Sequence, residues 1–427
     1  MFTTHFVTSR PRAALLLGPV AHLLLVTTAA TALASCGTES PSSSPTREVL
    51  PNGAVVVRYS GLPAIDSVDR MVTEAQVDLE FGSLEGDDPN LTFGGIRGIQ
   101  AASDGTIYVL DVQAAEVRAY DPDGQYLRTV VRGGEGPGEI TEANGIILAG
   151  DTLLWLNDHG KWSIIGVDRA GQEVRRFVKP IWSYGYIWDG AFDDRGRYWR
   201  HTSHEEGGFT YPPPPGLSSR TARNYYKSYD LSSEAIDSVY LGQSTFRSYT
   251  YKDPNGNWQF LPISFEPSNI FVLNPSGGFW RANSASYRIV RTGEGGDTLV
   301  VIEAGVPVQR VTDEDRSAYV EGWVEHRPEA RRDLEAVAAL MADVKPVLAG
   351  IFVDDEGVLW VERVVPSDAP AFYDRYSAEG DYLGSVRLAF EPAGGKIWVQ
   401  HGSIYSWVVD ELDVPFVVRA PLRWERR

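Results

Sequence analysis

SDGTIYVLDVQAAEVRAYDPDGQYLRTVV, residues 103–131, holds three short apolar-aromatic runs, IYVLD, EVRAY and QYLRTVV, parted by turn residues. Runs of this length rich in Val, Ile, Leu and Tyr and bounded by Gly, Asp and Pro read as antiparallel strands. The first of them recurs along the chain. AGDTLLWLND (149–158), DDRGRYWRHT (193–202), NPSGGFWRAN (274–283) and DDEGVLWVER (354–363) each pass from a turn into an apolar strand that ends on a polar residue. Tyr108, Trp155, Trp199, Trp280 and Trp360 share one register across the five copies.

Each copy has one apolar run before it and two after it, so the unit is a four-stranded sheet. Radial repetition of such sheets is the sequence grammar of a β-propeller, which removes the exposed edges of a flat sheet. Helical solenoids are excluded because the repeats have no 3.6-residue period. A sixth unit is degenerate: KIWVQ (396–400) reads as its innermost strand, followed by IYSWVVD (404–410) and PFVVRAPLRW (415–424). Three strands leave the outer place open. AQVDLEFGS (75–83), just before the first blade, is expected to fill it and close the ring against residues 415–424. The fold expected is all-β: a six-bladed β-propeller over residues 48–427, closed by an N-terminal strand and carrying a short helical insertion at about 312–344.

DGTIYVLDVQAAEVRAYDPDGQYLRTVVRGGEGPGEI (104–140) resembles the NHL-type blade of bacterial six-bladed β-propeller proteins, many of them predicted lipoproteins. In that family the first junction between blades commonly carries Gly-x-Gly-Pro-Gly-Glu-Phe, and Ile140 stands here in place of the Phe. The resemblance implies the fold rather than an activity. VRGGEGPGEI (131–140) invites comparison with a phosphate loop, but Glu135 and Glu139 stand where such a loop wants Lys and Ser, and strands rather than a helix follow. It reads as the corner from the rim of blade 1 to the axis of blade 2.

Residues 1–35 have the layout of an export signal: Arg10 and Arg12, an apolar run from Ala13, then small residues up to Leu33-Ala34-Ser35-Cys36. That tetrapeptide resembles the bacterial lipoprotein cleavage box, which makes Cys36 the lipidated residue and residues 36–47 a Ser/Pro-rich tether. The expected location is therefore the cell envelope, on the periplasmic side of the outer membrane or at the cell surface, with the membrane as a partner through Cys36. Cys36 is the only cysteine, which removes disulfides and cysteine chemistry from the globule. The leader carries two arginines and no acid, so 37 basic and 57 acidic residues remain, a formal charge of −20. Nucleic acid is excluded as a partner on that balance; cationic or neutral ligands are compatible with it, and the acids also serve simply to keep the globule soluble.

Alternating strand direction places three long excursions on one face: residues 203–224, 243–267 with a turn at Asn255-Gly256, and 312–344. The last is the one helical pattern, with Thr312 and Asp315 as a capping box, Pro328 opening a second helix, and a stripe of Leu334, Val337, Met341 and Val344 that packs on the propeller or lids its opening. Polar residues ending the second strands point to the same face: Asp111, Asp158, Thr202, Asn283, Arg363 and Asp410. They are candidates for a ligand ring over the axis, and strand-end Asp is equally a good turn residue. Phe209, Tyr211, Trp258 and Trp323 are the candidate aromatic anchors.

His201 and His204, followed by Glu205 and Glu206, form the best metal-ligand grouping, but i, i+3 spacing converges only on a helix. No metal or other cofactor is expected. Neither Gly-x-Ser-x-Gly nor His-Glu-x-x-His occurs. The function expected is a noncatalytic, monomeric binding or scaffold module for a protein, peptide or glycan on the loop-rich face. The alternative is a metal-assisted hydrolase or lyase working over the central channel.

Overall fold

The computed structural model describes residues 44–84, 88–178, 190–207, 214–229 and 235–423. Six antiparallel sheets follow one another around an axis, each starting at its innermost strand. Blade 1 runs Ile96–Ala101, Ile107–Asp111, Glu116–Tyr120 and Tyr126–Val131. Blade 2 begins at Ala143–Ala149, blade 3 at Ala191–Phe192, blade 4 at Asn269–Leu273, blade 5 at Leu348–Val353 and blade 6 at Trp398–Gln400. The register aromatics are all buried in the seams between blades, from Tyr108, Trp280 and Trp360 at 0 % exposure to Trp155 at 3 %.

Closure is as the sequence implies. Leu79–Phe81 is the outermost strand of blade 6 and pairs antiparallel with Pro415–Pro421, Phe81 facing Val417 and Leu79 facing Arg419. Arg419 also binds Asp78 at 2.9 Å and donates to the Pro122 carbonyl of blade 1 at 2.8 Å. On the inner side, Gln400 of blade 6 accepts from the Ala101 amide at 2.7 Å and donates to Gln100 at 3.0 Å, and Gln100 accepts from Leu148 of blade 2 at 2.9 Å. Amide side chains thus stitch three blades together near the axis.

The N-terminal segment does more than close the ring. Thr46–Val49 and Val55–Tyr59 extend blade 4, the latter parallel to Thr298–Ala304, and Val72–Ala75 adds a parallel strand to blade 5. A belt therefore runs over the rims of blades 4, 5 and 6 before the first blade starts, and pairing begins two residues inside the segment read as tether. The belt covers sheet edges that would otherwise be templates for association. Val57 and Ala75, both at 0 % exposure, anchor it in the seams.

VRGGEGPGEI turns the corner from blade 1 to blade 2. The Gly136 amide donates to Glu139 and the Gly138 amide to Glu173, each at 2.6 Å, so carboxylates of the chain itself take the N–H groups that a phosphate loop would offer to its ligand. Ile140 is fully buried among residues of blades 1 and 2. Across the same seam Gly171, at φ +88°, lies so near the Val130 carbonyl that a Cβ would sit 2.1 Å from its oxygen, which leaves room only for glycine.

Blade 3 departs from the others. Its third and fourth strands, Gly216–Tyr229 and Ala235–Lys252, run 14 and 18 residues, and Trp258–Pro262 returns along the second after a turn at Asp253–Asn257. The turn at Asn255-Gly256 is where the sequence puts it. The excursions expected as loops are therefore largely strand, because residues 216–229 alternate outward and inward side chains and find a partner in the longer strand. A bulge at Gly242, φ +111°, bends this sheet so that Asn269 at the head of blade 4 donates to the Gln243 carbonyl at 2.9 Å and to the Ser244 hydroxyl at 3.0 Å.

Helix α1 spans Asp313–Val324 and α2 spans Arg331–Ala339, joined by a 3-10 turn over Pro328–Ala330. The capping box at Thr312 and Asp315 forms. Leu334, Val337 and Met341 are buried against Tyr251, Leu261 and Ile263 of the raised sheet, so the helical pair buttresses blade 3. Val344 lies beyond the end of α2 and is 40 % exposed. Among the described residues no helix is long and apolar enough to cross a membrane.

Candidate ligand-binding face

Of the six strand-end candidates for an axial ring, three are aspartates, and two of these, Asp111 and Asp158, are turned inward by their own loops. Asp111 is 1 % exposed and accepts from the amides of Gly94, Gly95, Gln113 and Ala114 at 2.9–3.2 Å. Asp158, at 0 %, accepts from the Thr141 and Glu142 amides at 3.0 Å and from the Thr141 hydroxyl at 3.1 Å. In both blades the carboxylate clasps the entering strand to the exit of its neighbour, as a turn aspartate does. Asp410 caps its own turn through the Leu412 and Val414 amides at 2.8 and 2.9 Å. Asn283 is exposed, bonded to Asn269 at 2.9 Å, and Thr202 is half-buried within the raised sheet, opposite Tyr225.

Arg363 sits in a buried network rather than on a rim. Its Nε and Nη2 reach the two carboxylate oxygens of Asp374 at 2.6 and 2.7 Å, and Nη1 donates to the Pro63 carbonyl of the belt at 2.7 Å. Tyr287 from blade 4 donates to the same carboxylate at 2.6 Å and Ser385 at 2.5 Å. Asp374 is fully buried, so these partners are what keep its charge tolerable.

The two histidines do not converge. His201 and His204 are three residues apart on one strand and so occupy opposite faces. His201 bonds Asn224 at 3.2 Å and stacks on Phe271 of blade 4 at 5.4 Å, while His204 looks the other way, 5.6 Å from the Tyr225 ring.

The side of the raised sheet that carries His204 is the one that, lower down, packs Tyr198 on Trp155 and Ile164 of blade 2. Above that contact the sheet outruns its neighbour and leaves a cleft of about 670 Å³ lined by His204, Glu206, Arg223, Tyr225, Lys227 and Ser238. Lys227 Nζ lies 3.2 Å from His204 Nε2, an arrangement in which the ammonium donates to a neutral imidazole. Arg223 Nε donates to Glu206 at 2.7 Å, and Gln243 donates to the same oxygen at 2.8 Å. Among the described residues Lys227 has no carboxylate partner. The Tyr225 and Tyr240 rings stand 5.4 Å apart, and Tyr240 is 53 % exposed.

Phe209 and Tyr211 fall outside the described residues. Trp258 lies under Lys252, whose ammonium is 4.9 Å from the ring, and Trp323 packs against the core of the helical insertion with Arg327 5.2 Å above it. Neither tryptophan reaches the cleft. Arg223 lies inside the expected loop at 203–224, and Tyr225, Lys227 and Tyr240 lie beyond it, so the sequence pattern singles out none of the four. The usable signal was the spacing of 223, 225 and 227, which puts all three side chains on one face only if the segment is a strand.

Residues 64–163 match the model of a family described as a 6-bladed beta-propeller. No curated protein matches the chain. Among solved structures, an exported protein from Bacteroides fragilis is similar at 9 % identity, covering 83 % of this chain and 99 % of that one, with a TM-score of 0.40. A duf4221 family member from Bacteroides vulgatus is similar at 10 % identity, with 81 % and 96 % covered and a TM-score of 0.42. Virginiamycin B lyase from Staphylococcus aureus is similar at 11 % identity, with 78 % and 85 % covered and a TM-score of 0.33. The chain folds as a six-bladed β-propeller, in keeping with the description of the family model that its residues 64–163 match.

Proposed function

We propose that the protein is a noncatalytic, monomeric binding module of the cell envelope, held there by a lipid on Cys36. It captures a protein, peptide or glycan against the wall raised by blade 3. One observation carries the reading: among the described residues blade 3 alone prolongs its strands to 14 and 18 residues, and a separate apolar core with α1 and α2 braces that prolongation. A ring needs no such buttress to close, so the wall serves what lies beyond the ring. The alternative, a hydrolase or lyase over the axis, draws on strand-end acids; Asp111 and Asp158 already spend their oxygens on backbone amides.

Residues 1–43, which hold the export signal and Cys36, lie outside the described residues, and the lipid anchor rests on the sequence of the cleavage box. The test is capture from envelope extract by the intact chain and by a variant carrying Tyr240→Ala with Thr245→Arg, both on the exposed flank. A partner retained by the first and lost by the second supports the reading, and equal retention contradicts it.

A further inference from the structure

We infer that the cleft on the blade 2 side of the wall takes an acidic saccharide, a sugar chain bearing carboxylates or sulfates. This rests on the wall being the binding surface and adds the class of ligand. The whole chain is strongly acidic, so its general field repels anions. Against that background the cleft gathers Arg223, Lys227 and His204 within one patch. Among the described residues the one acid on the same flank there, Glu206, is already taken by Arg223 and Gln243. Glu205, the other acid at the cleft, is paired with Arg220 at 3.0 Å.

Lys227 is the telling residue. It hydrogen-bonds an imidazole, which is a poor counter-charge, and has no carboxylate partner among the described residues. An anionic oxygen placed between Lys227 and His204 would accept charge-assisted hydrogen bonds from both, the imidazole turning donor on protonation. The guanidinium of Arg223, opposite His204 in the strand register, adds a planar fork suited to carboxylate or sulfate.

Beside these cations stand Tyr225 and Tyr240, with Tyr240 open to solvent. Apolar faces with polar edges suit the C–H face and hydroxyl rim of a pyranose. Cations alone would equally suit an acidic peptide; the tyrosine pair next to them, with Tyr240 exposed, favours a sugar.

The experiment is calorimetric titration of the intact chain with tetragalacturonate, with maltotetraose as the neutral sugar and hexaglutamate as the acidic peptide. Binding of tetragalacturonate that weakens as salt rises from about 50 to about 500 mM, with no binding of maltotetraose, is the expected result. Arg223→Gln with Lys227→Gln should weaken it about tenfold or more, and Lys227→Arg should restore most of the loss. Tyr240→Ala should weaken it while circular dichroism stays unchanged. Hexaglutamate binding as tightly, or all three ligands failing, overturns the inference. If capture from envelope extract still depends on the wall while tetragalacturonate fails, the ligand class falls and the binding wall stands.

Discussion

Phe81 faces Val417 across the last sheet of the ring, so the strand that precedes blade 1 is also the outer strand of blade 6. The Phe81 ring packs on Tyr120 of blade 1 at a centroid distance of 4.7 Å and on Phe93 at 6.2 Å. With no disulfide available to the globule, this joint is what holds the ring shut. Phe81→Ala should therefore cost about 3–5 kcal/mol, read as a lower denaturant midpoint in chemical unfolding. A loss under about 1 kcal/mol would mean that the joint does not hold the ring.

The buried pair of Arg363 and Asp374 gives a second expectation. Asp374→Ala leaves a guanidinium without its partner in a site where Arg363 is only 6 % exposed, and should cost about 3–5 kcal/mol. Arg363→Met combined with Asp374→Leu should recover part of the loss, though Tyr287 and Ser385 then lose their acceptor. Equal losses in the single and double variants would show that the ion pair is not the element at stake.

Glu362 makes stability depend on pH. It lies in the second strand of blade 5, with Gly350 so close that a Cβ there would be 3.4 Å from its carboxylate. Burial pushes its carboxyl up to about 7, against about 4.3 in an unfolded chain. The folded state then binds the proton more tightly than the unfolded one. The stability from this group is complete below the unfolded value and is lost as pH rises through 7. Some solvent exposure remains, so the loss should be about 1–3 kcal/mol. Glu362→Gln should flatten the stability difference between pH 5 and pH 8, by denaturation at each pH; an unchanged slope would assign it to other groups.

A broken regularity suggests a stabilising change. Asp193 accepts from the Trp199 indole at 2.8 Å and Asp354 from the Trp360 indole at 2.7 Å, in each case six residues back along the chain. In blade 4 the same place holds Asn274, whose amide nitrogen bonds the Gly277 carbonyl, and the buried Trp280 Nε1 finds no partner among the described residues. Arg291 lies opposite Trp280 as Arg375 lies opposite Trp360, so a cation is near a carboxylate placed there. Asn274→Asp should raise stability by about 1 kcal/mol, seen as a higher melting temperature. A lower one would mean that burying the charge outweighs the new hydrogen bond.

The blade count, the register of Tyr108, Trp155, Trp199, Trp280 and Trp360 and the closing strand at residues 79–81 were legible because each is a local pattern repeated or completed at a definite place. The belt over residues 46–75 was not. Val55–Tyr59 and Val72–Ala75 pair in parallel with strands hundreds of residues away, and no turn between neighbours announces such pairing. The ring of polar strand ends was legible as positions but not as chemistry: whether Asp111 clasps a ligand or its own Gly94 and Gly95 depends on atoms that spacing does not fix. The cleft stayed hidden for one reason. The expected loop at 203–224 covers the first nine residues of the strand Gly216–Tyr229, and without that strand Arg223, Tyr225 and Lys227 share no face.

Photo-crosslinking from the two faces of the ring in intact envelopes tests the binding wall most directly. A benzophenone side chain at Thr245, on the wall, and another at Thr152, in a turn between the first two strands of blade 2 on the opposite face, sample both sides. Adducts from Thr245 with little or none from Thr152 is the result expected. Adducts from Thr152 in equal or greater yield, or none from Thr245, would contradict the account.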